Sequence, residues 1–353
     1  MEIIDIFKNA IEEKASDIFI IAGKPLSYKL AGDIVSYNDT PLSAEDTYGI
    51  IYNIFKLANQ DNLDELSTEG DADFSFSIPK LGRFRVSAYK QRNSFAAVIR
   101  VVFFELPDPD KLCIPDVVMN LYSKTKGLIL ITGPAGSGKS TTLACIIDKI
   151  NSERNSHIMT FEDPIEFIHK HKKSIVSQRE ISTDSKSYIS SLRSSLRQAP
   201  DVMLIGEMRD LETIEIALTA AETGHLVLST LHTTGAANTI DRIIDVFPSN
   251  QQQQIRIQLS MQLQAVISQQ LISSSVCGRA AAFEVMLVNN AVSNLIREAK
   301  VHQLNSVIHS AEGNGMKAMD TSIYELYKGG MITKENALLH SIDSDSMIKL
   351  LSK

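Results

Sequence analysis

The chain has 353 residues, 44% hydrophobic and 22% charged, with 10 prolines. That length predicts two domains, or at most three, and the composition excludes a collagen-like, mainly disordered or coiled-coil chain. Lys plus Arg number 35 against 42 Asp plus Glu, a net charge of −7, so any polyanion the protein binds has to meet a local basic site.

The first residues, Met1-Glu2-Ile3-Ile4-Asp5, are acidic where an export signal needs Lys or Arg, and no apolar run approaches the roughly 18 residues of a bilayer span. The chain is expected to be neither exported nor anchored by its own sequence. Residues 2–14 carry Ile3, Ile6, Phe7, Ala10 and Ile11 at helical spacing, followed by the strand-like run Asp17 to Ile21 and a turn at Gly23-Lys24-Pro25. A second helix starts near Ser43. Residues 71–104 then alternate (Phe74, Phe76, Ile78; Phe84, Val86, Ala88; Ala96, Val98, Arg100), with turn signals at Pro79 to Gly82 and Gln91 to Ser94, which predicts an antiparallel meander.

Pro107, Pro109 and Pro115 mark residues 107–115 as a linker between a domain at 1–106 and another at 116–353. Beyond it, short apolar strands at 127–132, 157–161, 201–205 and 225–230 alternate with helical segments, the pattern of a parallel sheet covered on both faces. From about 250 onward the chain reads as mostly helical. Cys113, Cys145 and Cys277 are odd in number, far apart and without a C-x-x-C, which argues against a disulfide framework or cysteine-based zinc site and for a cytosolic redox setting.

The strongest chemical signal is Gly133-Pro134-Ala135-Gly136-Ser137-Gly138-Lys139-Ser140-Thr141, a G-x4-G-K-S match between an apolar strand and a helix. Its glycines let backbone N–H groups curl round a phosphate. The helix N-terminus adds positive potential, Lys139 reaches the β and γ phosphates, and the Ser140 hydroxyl suits magnesium. The expected ligands are therefore ATP and Mg2+. A second strand, Asp201 to Ile205, runs into Gly206-Glu207, where Glu207 is the carboxylate expected to support the metal. Glu162, Asp163 and Glu166 crowd the end of a third strand, and one of them is expected to polarise the attacking water.

His225 and His232 flank a fourth strand at an odd separation, so they cannot share a metal; one is expected to sense γ-phosphate and the other to pack. His169 and His171 lie in the basic run 169–173, whose default reading is a solvated face. Arg83, Arg85, Arg92 and Arg100 lie on the N-terminal meander, where guanidinium groups could clamp phosphate at an interdomain or intersubunit cleft.

Together these motifs resemble the secretion ATPases, and within them the type IV pilus retraction branch. The resemblance rests on Ala15-Ser16-Asp17, Gly82 to Val86, the phosphate loop, Phe161 to Phe167, Gly206 to Asp210, Thr223 to His225, Leu231 to Thr234, Thr239 to Pro248 and Gln264 to Gln269. It implies an α/β chain with a smaller PAS-like α+β N-terminal domain, a RecA-like P-loop domain with a helical C-terminal region, and a homohexamer with ATP between one subunit's RecA-like domain and its neighbour's N-terminal domain. It also implies Glu166 as general base, Glu207 at the magnesium, His232 and the meander arginines at the phosphates, and a pilus platform protein at the inner face of the cell membrane as partner. The retraction branch carries AIRNLIRE where this chain reads Ala291-Val292-Ser293-Asn294-Leu295-Ile296-Arg297-Glu298, so Ser293 replaces an arginine. Assembly ATPases commonly carry a tetracysteine insert and a long extra N-terminal domain, and neither is seen here. A nucleic-acid translocase is disfavoured by the net charge and the lack of a basic aromatic strip. A nonenzymatic nucleotide-binding partner is disfavoured by the joint presence of Lys139, Glu166 and Glu207.

Overall fold

The computed structural model describes residues 3–352 apart from 31, 60–62, 80, 103–105, 107, 182, 275 and 277. Met1, Glu2, Pro107 and Cys277, which figure in the sequence reading, lie outside the described residues. The chain divides into two compact units, Met1–Glu105 and Leu106–Lys353.

In the first unit, α1 (Ile3–Glu12) buries Ile6, Phe7 and Ala10 as its periodicity requires. It is followed by β1 (Asp17–Ile20), β2 (Pro25–Leu30), β3 (Asp33–Pro41), α2 (Ala44–Leu57), α3 (Leu63–Thr68), β4 (Asp71–Ile78), β5 (Gly82–Gln91) and β6 (Ser94–Val102). The strands form one antiparallel sheet in the order β3-β2-β1-β6-β5-β4. Ser43 and Asp46 form a capping box that starts α2 where the sequence places it. Two expectations need correction. The β2-β3 hairpin was not foreseen, because every residue of β3 is exposed and so carries no alternation. In β6 the core takes Ala97, Ile99 and Val101, and of the Ala96, Val98, Arg100 set only Ala96 is buried. The register Val86↔Ile99 fixes that phase, since Val86 already faces the core.

The second unit comprises α4 (Asp116–Met119), β7 (Gly127–Thr132), α5 (Lys139–Glu153), β8 (His157–Glu162), β9 (Ile175–Glu180), α6 (Tyr188–Ser195), β10 (Val202–Ile205), α7 (Leu211–Glu222), β11 (Leu226–Leu231), α8 (Ala236–Asp245), α9 (Ser249–Gln262), β12 (Leu263–Ser274) and β13 (Gly278–Leu287). The helices α10 (Asn290–Arg297), α11 (Leu304–Ser310), α12 (Met319–Lys328), α13 (Lys334–His340) and α14 (Ser344–Leu351) complete it. The sheet runs β13-β12-β7-β11-β10-β8-β9, parallel throughout except for β13. All of β7, β10 and β11 is buried, as an α/β sheet demands. Leu128, Leu130, Met203 and Val227 pack one face against α7, α8 and α9, while Ile129, Ile131, Leu204 and Leu228 pack the other against α5.

The expected linker belongs largely to this unit. Leu112 and Ile114 donate backbone hydrogen bonds to Asp108 and Pro109, and Ile114 is buried with Val118 and Leu121. The mostly helical reading beyond 250 holds for α9 and for α10 to α14 but fails for Leu263–Ser274 and Gly278–Leu287, which pair as the β12-β13 hairpin. A short apolar run such as Ala265-Val266-Ile267 fits either period, and pairing with β7 decides between them.

Candidate active site

Because every strand from β12 to β9 points the same way, the loops after β7, β8, β10 and β11 meet at one sheet edge. There they line one cavity of about 290 Å³, whose wall includes Ala135, Gly136, Lys139, Ser140, Glu162, Asp163, Glu166, His169, Tyr188, Glu207, Arg209 and His232.

The phosphate loop takes its shape from glycine. Gly133 sits at φ 139°, and a Cβ there would lie 2.2 Å from the Gln269 carbonyl oxygen; Gly136 and Gly138 also have positive φ. No residue but glycine is accommodated at Gly133. Gly138 caps α5 with no side-chain hydrogen bond, which leaves the first N–H groups of a 15-residue helix directed at the loop. Lys139 is buried and donates from Nζ to the Gly133 and Pro134 carbonyls at 2.9 Å each, with His232 Nδ1 at 3.5 Å. Burial pulls its pKa down, opposed by the charges of Glu207 and Glu166. The Ser137 hydroxyl is buried without a hydrogen-bond partner among the described residues. A cationic side chain resting on carbonyls beside an unsatisfied hydroxyl fits an anionic ligand such as the phosphates of ATP.

The carboxylates fall into different environments. Glu207 lies just past β10, accepting from Arg209 Nη2 at 2.6 Å and meeting His232 Nε2 at 3.3 Å. Glu162 ends β8, accepting from Thr160 Oγ1 at 2.6 Å and Gln178 Nε2 at 3.3 Å; burial pushes its carboxyl up to about 7. Glu166 is exposed on the cavity wall, beyond the cis Asp163–Pro164 peptide. The Ser140 hydroxyl and Glu207 are the pair whose chemistry suits a magnesium ion.

His232 follows β11 and lines the cavity, whereas His225 precedes the same strand, with Nδ1 2.9 Å from the Ala220 carbonyl oxygen and 3.1 Å from Thr223 Oγ1. A six-residue strand keeps them roughly 20 Å apart. Arg83 and Arg85 share the face of β5 opposite the buried Phe84 and Val86, and Arg100 pairs across from Arg85 on that face, its Nε 3.1 Å from Asp17 Oδ1. Arg92 does not join them. It occupies a hairpin turn with Asn93, both at positive φ, at the far end of β5, roughly 30 Å from Arg83.

A family model described as "Type II/IV secretion system protein" matches residues 2–338. The chain belongs to this family. It is 44% identical over 337 residues, 96% of this chain and 97% of the relative, to a Pseudomonas aeruginosa protein named "Type IV pilus retractation ATPase PilT". It is also 44% identical over 324 residues, 90% of this chain and 85% of the relative, to a Neisseria gonorrhoeae protein named "Twitching motility protein". A crystal structure titled "Crystal Structure of the Pilus Retraction Motor PilT and Bound ADP" superposes with a TM-score of 0.91 at 47% identity, covering 99% of each chain.

Three residues of this secretion-family site escaped the sequence reading. His169 was assigned to a solvated run, yet it is buried on the cavity wall, its pKa pushed down to about 4 by burial. The run itself is strapped to α5, with Lys172 Nζ 2.7 Å from Asp148 and Asn151 donating to the Lys170 carbonyl. Tyr188 reaches the cavity from α6, and its hydroxyl would lie 2.9 Å from a Cβ at Gly206. Arg209, quoted only within a motif, holds Glu207. Tyr188 arrives from a helix remote in sequence from the other cavity residues and so has no spacing signal, whereas Arg209 stands only two residues from the Glu207 it holds. Among the described residues no helix is long and apolar enough to cross a membrane.

Proposed function

We propose that this secretion-family chain is an ATP-hydrolysing motor that drives type IV pilus retraction. The observation that carries the reading is the convergence of Lys139, Ser140, Glu166, Glu207 and His232 on one cavity at the carboxyl edge of a parallel sheet. The relatives named for pilus retraction and twitching, and the bound ADP named for the superposable structure, support it. In this reading the second unit is RecA-like and the first PAS-like. Six copies assemble into a ring at the inner face of the cell membrane, against a pilus platform protein and without nucleic acid.

The phosphate loop binds the β and γ phosphates, and Lys139 exchanges its carbonyl partners for phosphate oxygens. Ser140 and Glu207 would hold magnesium, which supplies charge neutralisation at the phosphates when bound. Glu166 accepts a proton from water as its oxygen attacks the γ-phosphorus and the bond to ADP breaks, giving ADP and phosphate. His232, between Lys139 and Glu207, is placed to report on the γ-phosphate. Arg83, Arg85 and Arg100 contribute from a neighbouring copy, and Arg92 does not. A pilus-assembly role is the alternative, and Ser293 on α10 is where the retraction motif departs.

The test is a magnesium-ATPase assay on size-separated fractions, with expression in a piliated host lacking its retraction motor. Turnover confined to hexamer-sized material and restored twitching are expected. Absence of turnover at every size would overturn the enzymatic reading, and turnover without twitching would move the chain to the assembly class.

A further inference from the structure

The motif Gln264 to Gln269 lies on β12, the strand the sequence reading missed, and nothing in the hydrolytic reading uses it. Ser268 pairs with Thr132, the last residue of β7, so Gln269 falls beside Gly133, the first residue of the phosphate loop. Its carbonyl oxygen is what a Cβ at Gly133 would strike, at 2.2 Å, and its Nε2 would lie 2.9 Å from a Cβ at Gly138. Gln269 is only 4% exposed, and its Oε1 accepts from Thr142 Oγ1 at 2.8 Å. Thr142 is itself buried, one turn into α5, with its N–H bonded to the Gly138 carbonyl.

One residue from a neighbouring strand thus touches both glycines that bracket the loop and ties down the helix whose N-terminus faces it. We propose that Gln269 is the positioning residue of the phosphate loop, holding the N–H groups of residues 133–139 in their anion-binding arrangement through its bond to Thr142. The inference rests on the nucleotide-hydrolysing reading above. A loop held ready binds phosphate in ground and transition states alike, so loosening it weakens nucleotide binding and raises KM more than it lowers kcat. A buried amide and hydroxyl that only filled space would lower stability without that split.

The experiment measures ATP turnover and binding of a fluorescent ADP analogue for the full chain and for Gln269→Leu, Thr142→Val, the double variant and Thr142→Ser. Gln269→Leu and Thr142→Val are each expected to raise KM and the ADP dissociation constant roughly five- to ten-fold, with kcat within about two-fold. The double variant should be no worse than the weaker-binding single variant, because both break one bond, and Thr142→Ser should bind as the parent does. Multiplying losses in the double variant, or an ADP constant unchanged by either single substitution, overturns the proposal. If Gln269→Leu does not fold, the Thr142→Val and Thr142→Ser pair decides alone by the same split. A parent chain that neither binds ADP nor hydrolyses ATP defeats the functional reading instead, an outcome distinct from a working parent with indifferent variants.

Discussion

The two sheets of this molecule treat their charged residues in opposite ways. In the second unit five adjacent parallel pairings send successive strands in one direction, so residues far apart in sequence, Lys139, Glu166, Glu207 and His232, finish at one edge. In the first unit each strand reverses the last, so Arg83 and Arg92, only nine positions apart, end at opposite edges of the sheet, and Arg85 and Arg100 spread over a face. Strand direction decides whether a polar residue near a strand end becomes part of a site or part of a surface.

The sharpest way to break this contrast is at Lys139. Lys139→Ala is expected to lower ATP turnover by at least about a thousand-fold with the fold intact, since Nζ contacts loop carbonyls and not the apolar core. Circular dichroism with steady-state kinetics checks both halves. A well-folded variant with parental turnover would remove the parallel edge from the mechanism.

Next in size are Glu162, which ends β8, and Glu166, in the loop after it. Glu166→Gln should keep ADP affinity and lose roughly a hundred- to ten-thousand-fold in turnover, because the amide cannot take a proton. Glu162→Gln should remain active, its two acceptor bonds being available to an amide oxygen. The reverse pattern would shift the base four residues toward the strand.

The antiparallel unit is tested by mixing subunits. Lys139→Ala chains and chains lacking Arg83, Arg85 and Arg100 should each be inactive alone, yet mixed rings should regain up to about a quarter of parental activity on independent-site counting. Verified mixed rings with no recovery would mean that the arginine face acts within its own chain or not at all.

Glu162 also makes a smaller, pH-dependent prediction. Burial raises its folded-state pKa above the unfolded value, so the native state binds more protons and stability falls as pH rises from about 4.5 through about 7. Glu162→Gln should therefore raise the melting temperature by several degrees at pH 8 and hardly at all at pH 4. An equal gain at both would mean the effect is not ionisation. The smallest effect is expected at the hairpin turn. Arg92→Gly places the residue most tolerant of positive φ at a φ of 47°, and should change stability by less than about 1 kcal/mol and turnover by less than about two-fold.

Much of this was determined by the sequence alone. The phosphate loop, the strands of residues 127–132 and 201–205, the helix start near Ser43, the carboxylate of Glu207 and the group Glu162, Asp163 and Glu166 depend on local spacing, turn chemistry and uninterrupted apolar runs, which a linear pattern records. Tertiary structure decided the rest. Leu263–Ser274 and Gly278–Leu287 became a hairpin because β7 offered a pairing edge to an apolar run whose period was ambiguous. His169 moved from a presumed solvated face to the cavity wall because the strap of residues 169–173 is tied down on α5. In each case the deciding partner lies elsewhere in the chain, and burial and pairing with a remote segment have no signature in the residues that undergo them.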